Sequence, residues 1–177
     1  SKLLIENKVN MAFTDVEVIN LEELRNRPKV VFLSESIKKL VEDKKQWLID
    51  VRRDFHSHPE LGQQEFRTMN KICEYLDEMG IIYKKEVFKT GVIAEIEGEN
   101  KDYTIALRAD IDALPIEDRK TCDYSSKNHG VCHACGHDAH MAILLGISYI
   151  LNDMWDKLNV DVKLIFQPAE ETTGGAK

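Results

Sequence analysis

Between residues 34 and 55 apolar side chains recur at Ile37, Leu40, Val41, Leu48, Val51 and Phe55. That spacing lays one apolar stripe along a helix, with Ser34 or Ser36 available as N-caps. His56-Ser57-His58-Pro59 is expected to end it. A second helix is predicted from Phe66, Met69, Ile72, Cys73, Leu76 and Met79, with Gly80 where a left-handed C-cap is wanted. Short strand-like runs follow over 81–87, 92–96 and 103–107, and Gly98-Glu99-Asn100-Lys101 reads as a hairpin-like connection between the last two. A third helix is predicted over about 140–154. It leads into a strand over 160–166, where Val160, Val162, Leu164 and Phe166 alternate and Ile165 adds apolar character to the other face. Residues 1–33 intersperse Val16, Val18, Ile19, Leu21 and Leu24 with charges and are interrupted by Pro28. They stand apart as an N-terminal extension of unknown role, before a domain of residues 34–177.

Helices mixed with short apolar strands mean an α/β fold, a sheet covered by helices on both sides. The chain stops at Gly174-Gly175-Ala176-Lys177, just after a strand with nothing behind it to cover it, so the domain is expected to be cut short. With 24 Lys and Arg against 31 Asp and Glu in 177 residues, the net charge is -7. An acidic surface without a basic stripe repels phosphate, and no nucleic-acid partner is expected. No apolar run approaches the ~20 residues that span a bilayer, and the first residues lack a cationic segment followed by an apolar one. The expectation is a cytoplasmic protein with no membrane association. In that compartment four cysteines suit a metal or redox site better than a disulfide framework, Cys132 and Cys135 lying close together among histidines.

Open α/β sheets place their sites at the carboxyl ends of strands. Two polar clusters fall there: Asp110 and Asp112 after one strand, Glu170 and Glu171 after another, with His133-Ala134-Cys135-Gly136-His137-Asp138-Ala139-His140 between them in the chain. Cys135 and His137 are two apart, so in an extended segment both side chains leave one face and can close on one ion. Thiolate and imidazole suit Zn²⁺ or another borderline transition metal, not Ca²⁺ or Mg²⁺. Glu170 and Glu171 diverge, so one can bind metal while the other faces a substrate. Hydrolysis needs that division, because a metal acidifies water, a carboxylate takes its proton and the resulting hydroxide attacks a polarised carbonyl. Each fragment has a plainer reading: Glu-Glu as a solvated loop, Asp-x-Asp as a turn or helix cap, Cys-x-His as core packing. His129 and His133 read as turn residues and His140 as a first-turn helix residue.

Taken together, four stretches resemble the metal-dependent amidohydrolases of the aminoacylase and carboxypeptidase superfamily of metallopeptidases. The nearest subgroup contains hippurate hydrolase, N-acetyl-diaminopimelate deacetylase and the plant indole-acetyl-amino-acid hydrolases. The stretches are Arg52-Arg53-Asp54-Phe55-His56-Ser57-His58-Pro59-Glu60-Leu61-Gly62, Ala106-Leu107-Arg108-Ala109-Asp110-Ile111-Asp112-Ala113-Leu114-Pro115-Ile116, His133 to His140 continuing to Leu144-Leu145-Gly146, and Phe166-Gln167-Pro168-Ala169-Glu170-Glu171. The resemblance implies an αβα sandwich of the zinc-dependent exopeptidase type, here as the N-terminal part of the catalytic domain without the lid and dimerisation domain. It implies Cys135, His137 and Glu171 as metal ligands, Glu170 as the general base that activates water, and Asp112 as a carboxylate that orients the site. Asp110 and Asp138 are implied as supporting carboxylates behind the ligands, His56 and His58 as structural, and Cys132 as packing where an apolar residue such as Met is expected. Two metal ions are implied, commonly Zn²⁺, Mn²⁺, Co²⁺ or Ni²⁺, with a small N-acyl amino acid as substrate and homo-oligomeric assembly. Two further histidine ligands are expected downstream of the Glu-Glu pair, where this chain has no His, so its activity alone is not expected. The alternatives are a non-catalytic module in which Cys132, Cys135, His137 and one more ligand hold a single structural Zn²⁺, and a redox protein using Cys132 and Cys135.

Overall fold

The computed structural model describes residues 28–99 and 102–172, with side chains from residue 35 onward. The chain divides into two compact units, residues 1–36 and 37–177. Helix α1 spans Pro28–Ser57, α2 spans Phe66–Met79 and α3 spans His137–Asp153. The strands are β1 (Ile82–Val87), β2 (Gly91–Ile96), β3 (Thr104–Asp110) and β4 (Asp161–Gln167). Pro28 opens α1 instead of interrupting the chain; at a first helical position its fixed φ is preorganised and its missing N–H costs nothing. α2 ends as predicted on Gly80, whose φ of 68° carries the chain out of the helix. The expectations for residues 1–27 lie outside the described residues.

The sheet runs β1-β2-β4-β3. β1 and β2 form an antiparallel hairpin, β2 and β4 pair antiparallel, and β3 and β4 pair parallel. The hairpin expected between β2 and β3 is therefore not formed, because β4 lies between them. β4 carries Val162, Leu164 and Phe166 on its inner face and is the strand that gains most from two neighbours, all three being buried. β3 is then left at the edge, with Ile105 half exposed.

The burial alternation shows which face holds the core. Val92, Ala94 and Ile96 of β2 and Val162, Leu164 and Phe166 of β4 point inward against Ile72, Leu76, Met141 and Leu145 of α2 and α3. α1 joins through Phe55 and Trp47, both packed edge-on against Tyr75 at centroid distances of 6.4 and 5.5 Å. The other face shows Glu95 and Lys163 to solvent, with Ile82 82% exposed in the same cross-strand row. The architecture is α/β, and among the described residues the helices cover one face, so the second helical layer is not found among them. No helix among the described residues is long and apolar enough to cross a membrane.

The start of β4 is closed by a tight contact. Gly98 N–H donates to Asp161 Oδ1 at 2.8 Å, and a Cβ built on Gly98 would collide with the carbonyl of Val160. Because that obstacle is backbone, Gly98→Ala is expected to destabilise the fold by about 1–3 kcal/mol, read as a lower urea midpoint at unchanged slope.

Candidate metal centre

Parallel pairing puts the carboxyl ends of β3 and β4 side by side, with Asp110 opposite Gln167. The crossover through α3 brings that helix's first residue, His137, to the same edge. Ile111 N–H donates to the Gln167 carbonyl at 3.0 Å, extending the pairing one step past the sheet. Glu171 N–H then donates to Asp112 Oδ2 at 2.9 Å and ties the two strand-end loops together.

His137 stands at the centre of what converges there. Its Nδ1 donates to the Asp112 carbonyl at 2.9 Å, with Asp112 Oδ1 at 3.4 Å. This leaves Nε2 facing three carboxylates: Glu171 Oε1 at 3.9 Å, Asp110 Oδ2 at 4.0 Å and Glu170 Oε2 at 4.0 Å. Ligand atoms of Cys135, His137 and Glu171 lie within 4.8 Å of one another, as do those of Asp110, His137 and His140. His137 belongs to both sets. The sequence reading passed over His140 as a ligand, although the i, i+3 spacing from His137 puts both rings on one face of α3.

Cys135 and His137 meet by a different route from the extended segment expected. Gly136 is the N-cap of α3 with φ of 92°, so a left-handed turn, not a strand, folds the thiol back toward the imidazole. α3 also starts three residues earlier than predicted, which places His137 and Asp138 in its first turn, where the helix dipole favours a carboxylate. Asp138 does not join the groups around His137 Nε2. It accepts from Arg52 Nε and His56 Nδ1, both at 2.7 Å.

The electrostatics of the site ask for a cation. Burial disfavours the charged His137 ring, but the Asp112 carboxylate and Cys135 outweigh it and push its pKa up to about 11. Burial likewise raises Asp112, yet the His137 ring and the Glu171 N–H hold its carboxyl below the usual range. Asp110 Oδ2 accepts from Arg108 at 2.8 Å, while Asp110 Oδ1 and Asp112 Oδ1 are buried without a hydrogen-bond partner. Orphaned carboxylate oxygens beside a thiol and an imidazole fit a divalent transition metal. His133 opens the turn before α3, its carbonyl accepting from Gly136 N–H at 3.3 Å, but its ring is buried, both ring nitrogens lack hydrogen-bond partners, and burial pushes its pKa down to about 4. A cleft of about 340 Å³ opens beside the centre, lined by Leu107, Arg108, Asp110, His140 and Ile143 among others.

Glu65 is the residue that sequence reasoning missed. It is fully buried, with Oε1 accepting from Ala169 N–H at 2.8 Å and Oε2 from Thr90 Oγ1 at 2.7 Å. Ala169 adopts φ of 55°, and the turn it makes delivers Glu170 and Glu171 to the centre. Gly62 lies against this turn, where a Cβ would come within 3.1 Å of Ala169 Cα. Nothing in the local pattern marks Glu65, because a glutamate at a helix start is read as a solvated cap. Glu65→Ala leaves a buried N–H and hydroxyl without their acceptor and is expected to cost about 2–3 kcal/mol. Glu65→Gln keeps one acceptor for Ala169 and is expected to recover most of that loss in the same denaturation measurement.

Residues 106–177 match the model of Peptidase family M20/M25/M40. The chain is 50% identical over 129 residues to an N-acetyl-L-cysteine deacetylase of Bacillus subtilis, covering 73% of this chain and 31% of that protein. It is 42% identical over 144 residues to an N-acyl-L-amino acid amidohydrolase of Geobacillus stearothermophilus, covering 81% of this chain and 39% of the relative. Among solved structures it resembles the Bacillus subtilis YXEP protein, described as a dinuclear metal binding peptidase from the M20 family. The TM-score is 0.70 at 46% identity, covering 73% of this chain and 37% of that one. The chain thus spans roughly a third of the length of the curated relatives it matches, and it is over residues 106–177 that it is similar to peptidase family M20/M25/M40.

Proposed function

We propose that residues 34–177 are part of the catalytic domain of a cytoplasmic, metal-dependent amidohydrolase. Its substrates are N-acyl or N-aroyl amino acids or small peptide-like amides. The observation that carries this reading is His137 Nε2, turned toward three carboxylate oxygens at 3.9–4.0 Å and clustered with the Cys135 thiol. The relatives named above support the substrate class, and the unpaired state of all four cysteines suits a reducing compartment.

Cys135, His137 and Glu171 would hold one ion of a pair drawn from Zn²⁺, Mn²⁺, Co²⁺ or Ni²⁺. A bound ion supplies Lewis acidity, polarising the amide carbonyl and acidifying adjacent water. Glu170, with its side chain 39% exposed, is the most open of the three carboxylates around His137. It takes the proton of the attacking water and returns it to the departing amine. Asp112 acts on both sides of the ligand set: it holds the His137 ring through Nδ1–H and fixes the Glu171 backbone through its own carboxylate. Asp110, restrained by Arg108, lies between the centre and the adjacent cleft, whose apolar wall of Leu107 and Ile143 can receive an acyl or side-chain group.

Elemental analysis of this chain, and turnover of hippurate or N-acetyl-methionine by a protein carrying the complete catalytic domain, test this assignment. His137→Ala is expected to lower bound metal per chain, and Glu170→Gln to leave it unchanged while lowering kcat on the order of 10²–10⁴-fold at similar KM. Metal content untouched by His137→Ala would overturn the centre, and full turnover in Glu170→Gln would overturn the base.

A further inference from the structure

The hydrolytic assignment leaves unused a second group of metal-ligating side chains. His56, Asp118 and Cys132 come from the last turn of α1, the loop after β3 and the loop before α3, and their ligand atoms lie within 4.8 Å of one another. The side chains of His56 and Asp118 are 1% and 4% exposed, and Cys132 is 4% exposed. Asp118 Oδ2 stands 3.6 Å from His56 Nε2.

Each of the three is held by its own support. Cys132 is locked by a pair of backbone hydrogen bonds with Leu114, at 3.0 and 3.1 Å. Asp118 accepts from Ser126 N–H at 2.9 Å and Lys120 N–H at 3.1 Å. Those two donors and the Lys120 ammonium hold its carboxyl down at about 2. His56 Nδ1 is 2.7 Å from Asp138 Oδ2, and its Nε2 is 3.0 Å from Lys120 Nζ. Both contacts are hydrogen bonds only when Nδ1 carries the proton and Nε2 the lone pair. A carboxylate behind the ring and a lone pair in front is the orientation that metal-ligating histidines take.

We propose that His56, Asp118 and Cys132 form a transition-metal site separate from the His137 centre, suited to Zn²⁺ or Co²⁺, in which Lys120 occupies the place of the ion. Lys120 Nζ touches both His56 Nε2 and Asp118 Oδ1, at 3.0 and 3.4 Å, and its side chain is 47% exposed. The ammonium therefore has an exit to solvent, and the position it vacates becomes the ion's, with water completing the tetrahedron. On binding, the Cys132 thiol releases its proton to solvent, and thiolate plus carboxylate balance the two positive charges of the ion. Three distant segments are then clamped together behind the first turn of α3.

The test is a Co²⁺ titration of the metal-free chain, read by the thiolate-to-cobalt charge-transfer band and by bound metal. In the Cys135→Ser variant the band is expected to persist, and adding Cys132→Ala is expected to remove it. Lys120→Met, which takes away the competing ammonium, is expected to tighten Co²⁺ binding in the Cys135→Ser background by about tenfold or more. Asp118→Asn, which keeps the thiol in place, is expected to weaken it by a similar factor and serves if Cys132→Ala does not fold. A band lost entirely in Cys135→Ser, a band that survives the added Cys132→Ala, or an affinity indifferent to both Lys120→Met and Asp118→Asn would overturn the proposal. The His137 centre is scored independently by His137→Ala, so either site can fail without the other.

Discussion

The parallel register of β3 against β4 is the constraint on which the rest of the molecule depends. Leu107 and Ala109 stand opposite Leu164 and Phe166 on the core face, so the apolar packing of the sheet decides which residues leave its end together. A slip of one residue would turn those side chains outward and separate Ile111 from Gln167. The loops bearing Asp112 and Glu171 would then part. The geometry around His137 is in this sense set by hydrophobic packing some distance away, and the hydrogen bond from Glu171 N–H to Asp112 only finishes the alignment.

Electrostatically the centre works in the opposite direction from the core. Asp110, Asp112, Glu170 and Glu171 gather around one imidazole, an arrangement whose mutual repulsion the fold must outweigh. Arg108 relieves part of it by donating to Asp110 Oδ2. Such crowding is poor design for stability and good design for a site that takes up a divalent cation.

Local features proved readable from the chain itself: the stripe of α2 with its terminal glycine, the alternation of β4, and the ligand-rich segments after two strands. What stayed hidden depends on neighbours in space. Spacing cannot say that β4 inserts between β2 and β3, since strand order is decided by which strand buries most on both sides. Gly136 could be read only as permissive, and its left-handed turn between Cys135 and His137 became visible with the start of α3. Glu65 and His133 are polar residues whose complete burial follows from tertiary packing, and no periodicity announces either.

The turn at Ala169 limits how this protein can diverge. The methyl group of Ala169 lies beside Gly62, its backbone N–H donates to Glu65, and the backbone stands in a conformation that few residues tolerate. A Cβ at position 62 would come within 2.6 Å of Thr172 Oγ1 and 3.1 Å of Ala169 Cα. Glycine at 169 would free the loop that aims two acidic side chains. Bulk added at position 62 therefore disturbs Ala169 and Thr172 together, and with them the aim of the two acidic residues between them.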